Sequence, residues 1–333
     1  MIQGKENTDY AYAVGRIRAM ETRLLTRGLV ERMLESVDVE ELLRILADTA
    51  YGSLLAESKE YQELLRVEET SLLRFFDELC LDPILSELVH YRYDFHNLKV
   101  LIKAYVAKED FSHALSMHGN LDIPTLRGVF EEEKFGALPA DLERVIARVV
   151  EEYYSKNDPR VIDLMVDNEM FQFYGREATR RRSEFLSRLL ALTIDLTNIK
   201  TLARAKRLKE EKETLRLAIL EGGELSAKWY IDLSDEAWES FPQRFYATPY
   251  HRIVNEGYES VQEAKSFLKL EKLCDDHLVD FLRVTRFTAF GVEPLVAYFV
   301  AKLNELKILR LLFVGKLRGI EATRMKERLP DVF

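Results

Sequence analysis

The sequence predicts an all-α fold. Three observations carry that reading. Apolar residues recur at helical spacing almost throughout the 333 residues. The strongest helix breakers are scarce, with 14 Gly and 8 Pro, where ordinary usage gives about 23 and about 17. No stretch alternates apolar and polar residues with the period of two that a half-buried strand needs, and the Val and Ile content falls inside helical patterns.

The elements follow in order. Residues 10–35 read as one helix, with Ile17, Met20, Leu24 and Leu25 on one side. In VDVEELLRILADTAYG, Asp38 caps a short helix that stops near Gly52. Residues 59–79 are helical. In LDPILSELVHYRYDFHNLKVLIKAYVAKED, Asp82 is the cap and Pro83 the first helical position of a helix running to about Ala107. GNLDIPTLRGVF is a break followed by a short helix. LPADLERVIARVVEEYYSKNDPRVIDLMVDNEMF holds two helices divided by Asn157, Asp158 and Pro159. Residues 175–213 form one long helix or two in series, and EGGEL at 221–225 breaks the pattern. FPQRFYATPYHRI reads as loop. Helices return for 258–287, 293–313 and 320–328.

The charge and the segments present narrow the function. Formal net charge is -9 and pI about 5.4, which opposes non-specific nucleic-acid binding. The opening MIQGKENTDYAYAV is polar and lacks an apolar signal core. No run approaches the roughly 18–20 apolar residues of a membrane span, and LRLLFVGK is far too short. The chain is expected to be soluble and to reach a membrane only through a partner. Cys80 and Cys274 sit in apolar helical surroundings as reduced core thiols, with no C-x-x-C to frame a zinc site.

An internal repeat organises the chain. DFHNLKVLIKA begins at Asp94 and DLTNIKTLARA at Asp195, 101 positions later. Asp, Asn, Lys, Leu and Ala are identical, and Phe/Leu, Leu/Ile and Lys/Arg are conservative. LNELKILRLLFVGK is a fainter third copy, with Lys307 in the place of Lys99 and Lys200, and Leu303 and Glu305 near the places of Asp and Asn. VGRIRAMETRLL is weaker still. A break follows each clear copy, at Gly119, Gly222–Gly223 and Gly319, and then a short helix: LDIPTL, ELSAKWY, IEATRM. The N-terminal counterpart is VDVEELL. A period near 100 exceeds that of common solenoids and suggests three similar helical modules, about 1–110, 111–215 and 216–333, within one domain spanning 1–333.

A repeated Asp-x-x-Asn argues against catalysis, because one active site is enough for an enzyme. Asp94 and Asn97, like Asp195 and Asn198, lie one turn apart on one helix face. Buried there, they need polar partners, so they read as structural, together with Lys99, Lys200 and Lys307. No histidine pair has helical metal-ligand spacing: His113 and His118 are five apart, His90 and His96 six. Asp276 and Asp280 in CDDHLVD are one turn apart, as a magnesium-dependent helical enzyme would place them, but a second acidic cluster is missing and a charged surface with Arg283 fits better. No phosphate-loop, dinucleotide or nucleophile-elbow motif is present. No catalytic, cofactor or metal residue is assigned. Arg180, Arg181 and Arg182 point three ways around a helix; they read as charged surface, with one side chain meeting an acidic neighbour or partner as the other reading.

FGVEPLVAYFVAKLNELKILRLLFVGKLRG resembles the C-terminal signature of the family of C subunits, also called d subunits, of rotary A-type and V-type ATPases. So do YDFHNLKVLIKA, IDLTNIKTLARAK, DYAYAVGRIRAMETRLL and the helix after NDPRVIDLMVDNEMF. The matches run in order from residue 9 to residue 332. The resemblance implies a non-catalytic, funnel-shaped, all-α subunit of three helical modules about a pseudo-threefold axis. It implies a place on the cytoplasmic side of the membrane, on the proteolipid ring, with the D and F subunits of the central stalk entering the funnel and torque passing between stalk and ring. No nucleic acid and no small-molecule substrate are implied. The departure is the third copy, which lacks Asp-x-x-Asn. A metal-dependent helical enzyme using Asp276 and Asp280, or a generic helical scaffold, are the alternatives.

Overall fold

The computed structural model describes residues 8–56 and 60–333; the opening residues 1–7, read above as polar, lie outside the described residues. Seventeen α-helices are described, with no strand among the described residues. In chain order they are α1 (Ala11–Glu21), α2 (Arg27–Glu35), α3 (Val39–Ala47), α4 (Gly52–Leu55), α5 (Tyr61–Leu79), α6 (Pro83–Ala107), α7 (Ile123–Glu131), α8 (Ala140–Lys156) and α9 (Arg160–Arg181). There follow α10 (Glu184–Leu208), α11 (Lys212–Ala218), α12 (Ala227–Leu233), α13 (Phe241–Arg244), α14 (His251–Glu263), α15 (Leu268–Arg283), α16 (Glu293–Leu317) and α17 (Ala322–Arg328).

The contacts divide the chain into two compact units. One is Pro83–Trp238; the other joins Met1–Asp82 to Glu239–Phe333. In the first, α9 packs against α6, α8, α10 and α11. Its core stacks Phe95, Leu98 and Ile102 of α6 on Leu126 and Phe130 of α7, Ile146 and Val149 of α8, and Ile162 and Val166 of α9. Asn157 ends α8 in the left-handed conformation (φ 51°), which Asn tolerates better than most residues. Its N–H still bonds the Tyr153 carbonyl at 2.7 Å, and Pro159 then opens α9 as the sequence predicts.

In the second unit, α16 is the central helix, with α1, α3 and α5 packed on it. Its apolar residues run round most of the helix rather than in one narrow stripe, as a helix packed by several neighbours requires. Leu306, Ile308, Leu309, Leu312 and Phe313 meet Met33, Leu42, Leu46, Tyr51 and Leu65. The α14 and α15 helices form a pair, and α17 lies on α15.

Several boundaries differ from the sequence reading. Residues 10–35 are two helices, because residues 22–26 leave the helix and Thr26 caps α2 by accepting the Leu29 N–H. The span 175–213 divides at Arg182 (φ 53°) and again at Lys209 (φ 55°), and 258–287 divides near Lys265 (φ 53°). The loop-like FPQRFYATPYHRI contains the one-turn α13 and the start of α14.

Candidate functional site

The three longest helices, α6, α10 and α16, have 25 residues each. Each holds a loop and the short helix after that loop by buried polar side chains.

On α6, Asp94 is 3% exposed and Asn97 fully buried. Asn97 meets the Ser116 backbone at two points: its Nδ2 donates to the Ser116 carbonyl at 2.8 Å, and the Ser116 N–H donates to its Oδ1 at 2.7 Å. Three residues back, the Asp94 carboxylate accepts the Asn120 N–H (3.0 Å) and side-chain amide (2.9 Å) on Oδ2, and the Leu121 N–H (2.9 Å) on Oδ1. His96 and His90 reach the same loop, at the carbonyls of Ala114 (2.9 Å) and His118 (2.6 Å). A carbonyl only accepts, so both ring nitrogens there carry the proton. The next residue, Asp122, caps α7 by accepting the Thr125 N–H.

The second copy repeats the backbone bonds of the first, with the Tyr230 hydroxyl in place of the Asn120 side-chain amide. Asp195 and Asn198 of α10 are fully buried. Asn198 pairs with the Leu220 backbone through Nδ2 (2.9 Å) and Oδ1 (2.8 Å). Asp195 accepts the Glu224 N–H at 2.9 Å and the Leu225 N–H at 3.4 Å, and the Tyr230 hydroxyl donates to it at 3.1 Å. Ser226 then caps α12. Gly119 and Gly223 are the residues between: a Cβ on either would stand 2.2 Å from the Oδ1 of Asp94 or Asp195. Glycine is needed at both positions for this close approach.

The third copy uses different residues. With Lys307 in register with Lys99, the Asp position falls on Lys302 and the Asn position on Glu305. Leu303, expected near the Asp position, instead packs on the apolar core. Lys302 and Glu305 are 5% and 4% exposed. Glu305 accepts the Leu25 N–H on Oε2 and the Tyr51 hydroxyl on Oε1 at 2.6 Å. Lys302 donates to Glu305 (2.6 Å) and Tyr51 (2.9 Å), and pairs with Glu68 (2.8 Å). Burial works against the Lys302 charge, yet Glu305 and Glu68 together hold its pKa above the ordinary lysine value. Burial, with Glu305 next, pushes Tyr51 well above the ordinary phenol value, so its proton stays in place to donate.

The loop residue immediately before the cap is a leucine each time: Leu121 before Asp122, Leu225 before Ser226, Leu25 before Thr26. By these contacts the short helix tied to α16 is α2, from the N-terminal part of the chain, and not the helix in IEATRM (α17) that the sequence reading placed after the third copy, nor the one in VDVEELL (α3). The far ends of two short helices are also tied. Lys206 donates to the carbonyls of Ser234 (2.8 Å) and Glu236, and Lys316 to those of Leu34 (2.7 Å) and Ser36.

The repeat lysines diverge. Lys99 pairs with Asp167 at 2.8 Å and Lys307 with Asp275 at 2.6 Å. Lys200 is half-buried on α10 and has no ion-pair partner among the described residues. Asp276 and Asp280 serve separate bases: Asp276 pairs with Lys272 (3.2 Å) and accepts the Asp331 N–H, and Asp280 pairs with Arg283. No group of His, Cys, Asp and Glu able to hold a metal ion occurs among the described residues. No described helix is long and apolar enough to cross a membrane. Sequence reasoning missed the Lys302–Glu305 pair; two opposite charges one turn apart inside the apolar run FVAKLNELKILRLLFV were its signal.

Buried side chains that bond backbone rather than converge on a cavity define a structural protein of the all-α class. Comparison with known proteins makes the class specific. The chain belongs to the ATP synthase (C/AC39) subunit family, whose model matches residues 13–328. It is 28% identical to the C subunit of the V-type sodium ATPase of Enterococcus hirae over 320 residues, 95% of this chain and 97% of the relative. It is 26% identical to the C subunits of the A-type ATP synthases of Desulfurococcus sp. (98% and 92%) and of Thermococcus onnurineus (97% and 91%). The family is a structural, non-catalytic part of the rotary ATPase.

Proposed function

We propose that this chain is the rotor adaptor that joins the D and F subunits of the central stalk to the proteolipid ring on the cytoplasmic face of the membrane, and so couples ATP turnover to ion transport. The observation that carries the reading is the end-to-end likeness to the C subunits of these ATPases, which covers at least nine-tenths of this chain and of the relatives named above. A torque-bearing adaptor needs stiffness, and the buried ties suit that need. Asp94, Asn97, Asp195 and Asn198 fix loops to long helices at several points each, as Lys302 and Glu305 do in the third copy. On this reading the chain comprises three repeated modules, each built on one 25-residue helix, and the residues of the repeat are structural, not catalytic.

The segment between α15 and α16 is the best candidate for a docking loop. Phe287 is 92% exposed, with Val284 and Phe290 beside it also exposed, and water-facing aromatic residues on a loop are suited to a partner surface. The test is reconstitution of the purified chain with D, F and isolated proteolipid rings. The wild type is expected to bridge stalk and ring in a pull-down. Phe287→Ser is expected to weaken bridging with an unchanged melting temperature. A wild-type chain that binds neither stalk nor ring overturns the reading.

A further inference from the structure

Within the unit Pro83–Trp238, an open groove of about 640 Å³ runs beside α8 and α9. Its floor is apolar: Tyr91 and Phe95 of α6, Leu121, Leu142, Val145 and Phe173. The Tyr91 and Phe173 rings lie 4.7 Å apart. Its rims are basic. Arg144 and Arg148 stand one turn apart on α8, and Arg176 and Arg180 one turn apart on α9, all four exposed. Asp141 and Glu169 also line it, bonded to Arg144 and to Arg148 (2.6 Å). Arg180 pairs with Glu177 on its own helix. Arg176 leans over the Phe173 ring, 5.9 Å from its centroid, and has no carboxylate partner among the described residues.

We propose that this groove docks an acidic amphipathic helix of a partner protein, seating its apolar face on the aromatic floor and its carboxylates on the two arginine rows. Charge complementarity selects the occupant: four guanidinium groups border an apolar strip on a chain whose net charge is -9. Geometry selects a helix over a small anion. The four arginines stand in two rows on two helices, each row one helical turn long, and exposed ion pairs are worth only about 0–1 kcal/mol each, so a single phosphate or carboxylate gains little. Rows one helical turn apart match carboxylates spaced i,i+4 on a facing helix, with apolar residues between them entering the groove. The Arg144–Asp141 pair is exposed on both sides and exchanges partners at little cost, and Arg176 has no carboxylate to give up; Arg148 and Arg180 keep their pairs with the mostly buried Glu169 and Glu177. The proposal stands independently of the rotor reading.

The test is fluorescence anisotropy of the full chain with a labelled, side-chain-stapled helical peptide carrying Glu at i and i+4 on both flanks of a Leu/Phe stripe. The expected result is saturable binding, weakened at least about tenfold by R176E/R180E. The same peptide with Lys for Glu is expected to bind that variant better than the wild type. Arg180 pairs with the buried Glu177, so R176E alone, at an exposed residue with no carboxylate partner, is the folding control: it should melt as the wild type does and still weaken binding. Equal binding of a scrambled acidic peptide, indifference to R176E/R180E, or no saturable binding overturns the proposal. So does tighter binding of a single-stranded RNA oligomer or of phosphatidylglycerol vesicles than of the peptide.

Discussion

Lys302 and Glu305 illustrate how a buried charge behaves when its partners are removed one at a time. Lys302→Met leaves the buried Glu305 side chain without its cation and short of one donor, and should cost about 3–5 kcal/mol. Adding Glu305→Leu should recover only part, because the Leu25 N–H and the Tyr51 hydroxyl then lose their acceptor. Urea unfolding of the two variants checks both statements; full recovery in the double variant would refute the tie to Leu25. The pH dependence has a definite sign. A lysine whose pKa is raised in the folded state contributes stability below its ordinary value of 10.5 and loses it as pH rises through the folded value. The gap between wild type and Lys302→Met should therefore narrow only above about pH 10.5. For Asp94 and Asp195 the partners are two backbone N–H groups and one side-chain donor each, the Asn120 amide and the Tyr230 hydroxyl, so Asp94→Ala and Asp195→Ala should each cost about 1–3 kcal/mol. No partner is shared between them, so the costs should add within about 0.5 kcal/mol in thermal melts. These two residues were legible in the sequence because they repeat at an interval of 101 positions. Glu305 was placed near the Asn position, but Lys302 and its pairing with Glu305 were not legible, because the third copy keeps the positions while exchanging the chemistry, and a pattern written in residue types does not register that exchange.

At the scale of elements, the loop and its helix form one unit. Gly119 lies against the Asp94 carboxylate, which three hydrogen bonds hold in place and prevent from moving aside. Gly119→Ala should destabilise the chain by about 1–3 kcal/mol through that clash. In an Asp94→Ala background the same change should cost much less, a non-additivity that a double-mutant cycle measures. Equal costs in both backgrounds would mean that the glycine serves some other purpose. The helices themselves were largely legible: the caps Asp38 and Asp122 and the Asn-Asp-Pro break fall where propensity puts them. The misread boundaries have a common cause. Breaks at Arg182, Lys209 and Lys265 are made by long basic residues in the left-handed region, where glycine is the usual occupant. Such a residue reads as a good helix former, and only its packing context forces the turn. The break at 22–26 likewise depends on Glu305, some 280 positions away, which no local window contains.

For the molecule as a whole, the two compact units differ in how the chain builds them. Pro83–Trp238 is continuous. It contains both Asp-x-x-Asn ties with all their partners, and its own core of α6 to α9 side chains. Nothing in those ties requires residues outside the segment, so a fragment 83–238 is expected to be helical by circular dichroism and to melt cooperatively. The other unit brings the two ends of the chain together: α16 supplies Lys302 and Glu305, while Leu25, Tyr51 and Glu68 come from the N-terminal part. A fragment 239–333 alone carries a buried lysine and glutamate without those partners, and leaves the apolar side of α16 that meets Met33, Leu42 and Leu65 open to water. Unpaired charges and exposed core should keep it unfolded or aggregated. Mixing it with a fragment 1–82 restores every partner, so a cooperative transition should return on mixing and depend on fragment concentration. Glu305→Ala in the longer fragment should weaken that complementation. If 239–333 folds alone as well as 83–238 does, the ends of the chain are not joined by the contacts of α16, and the third copy of the tie does not hold the unit together.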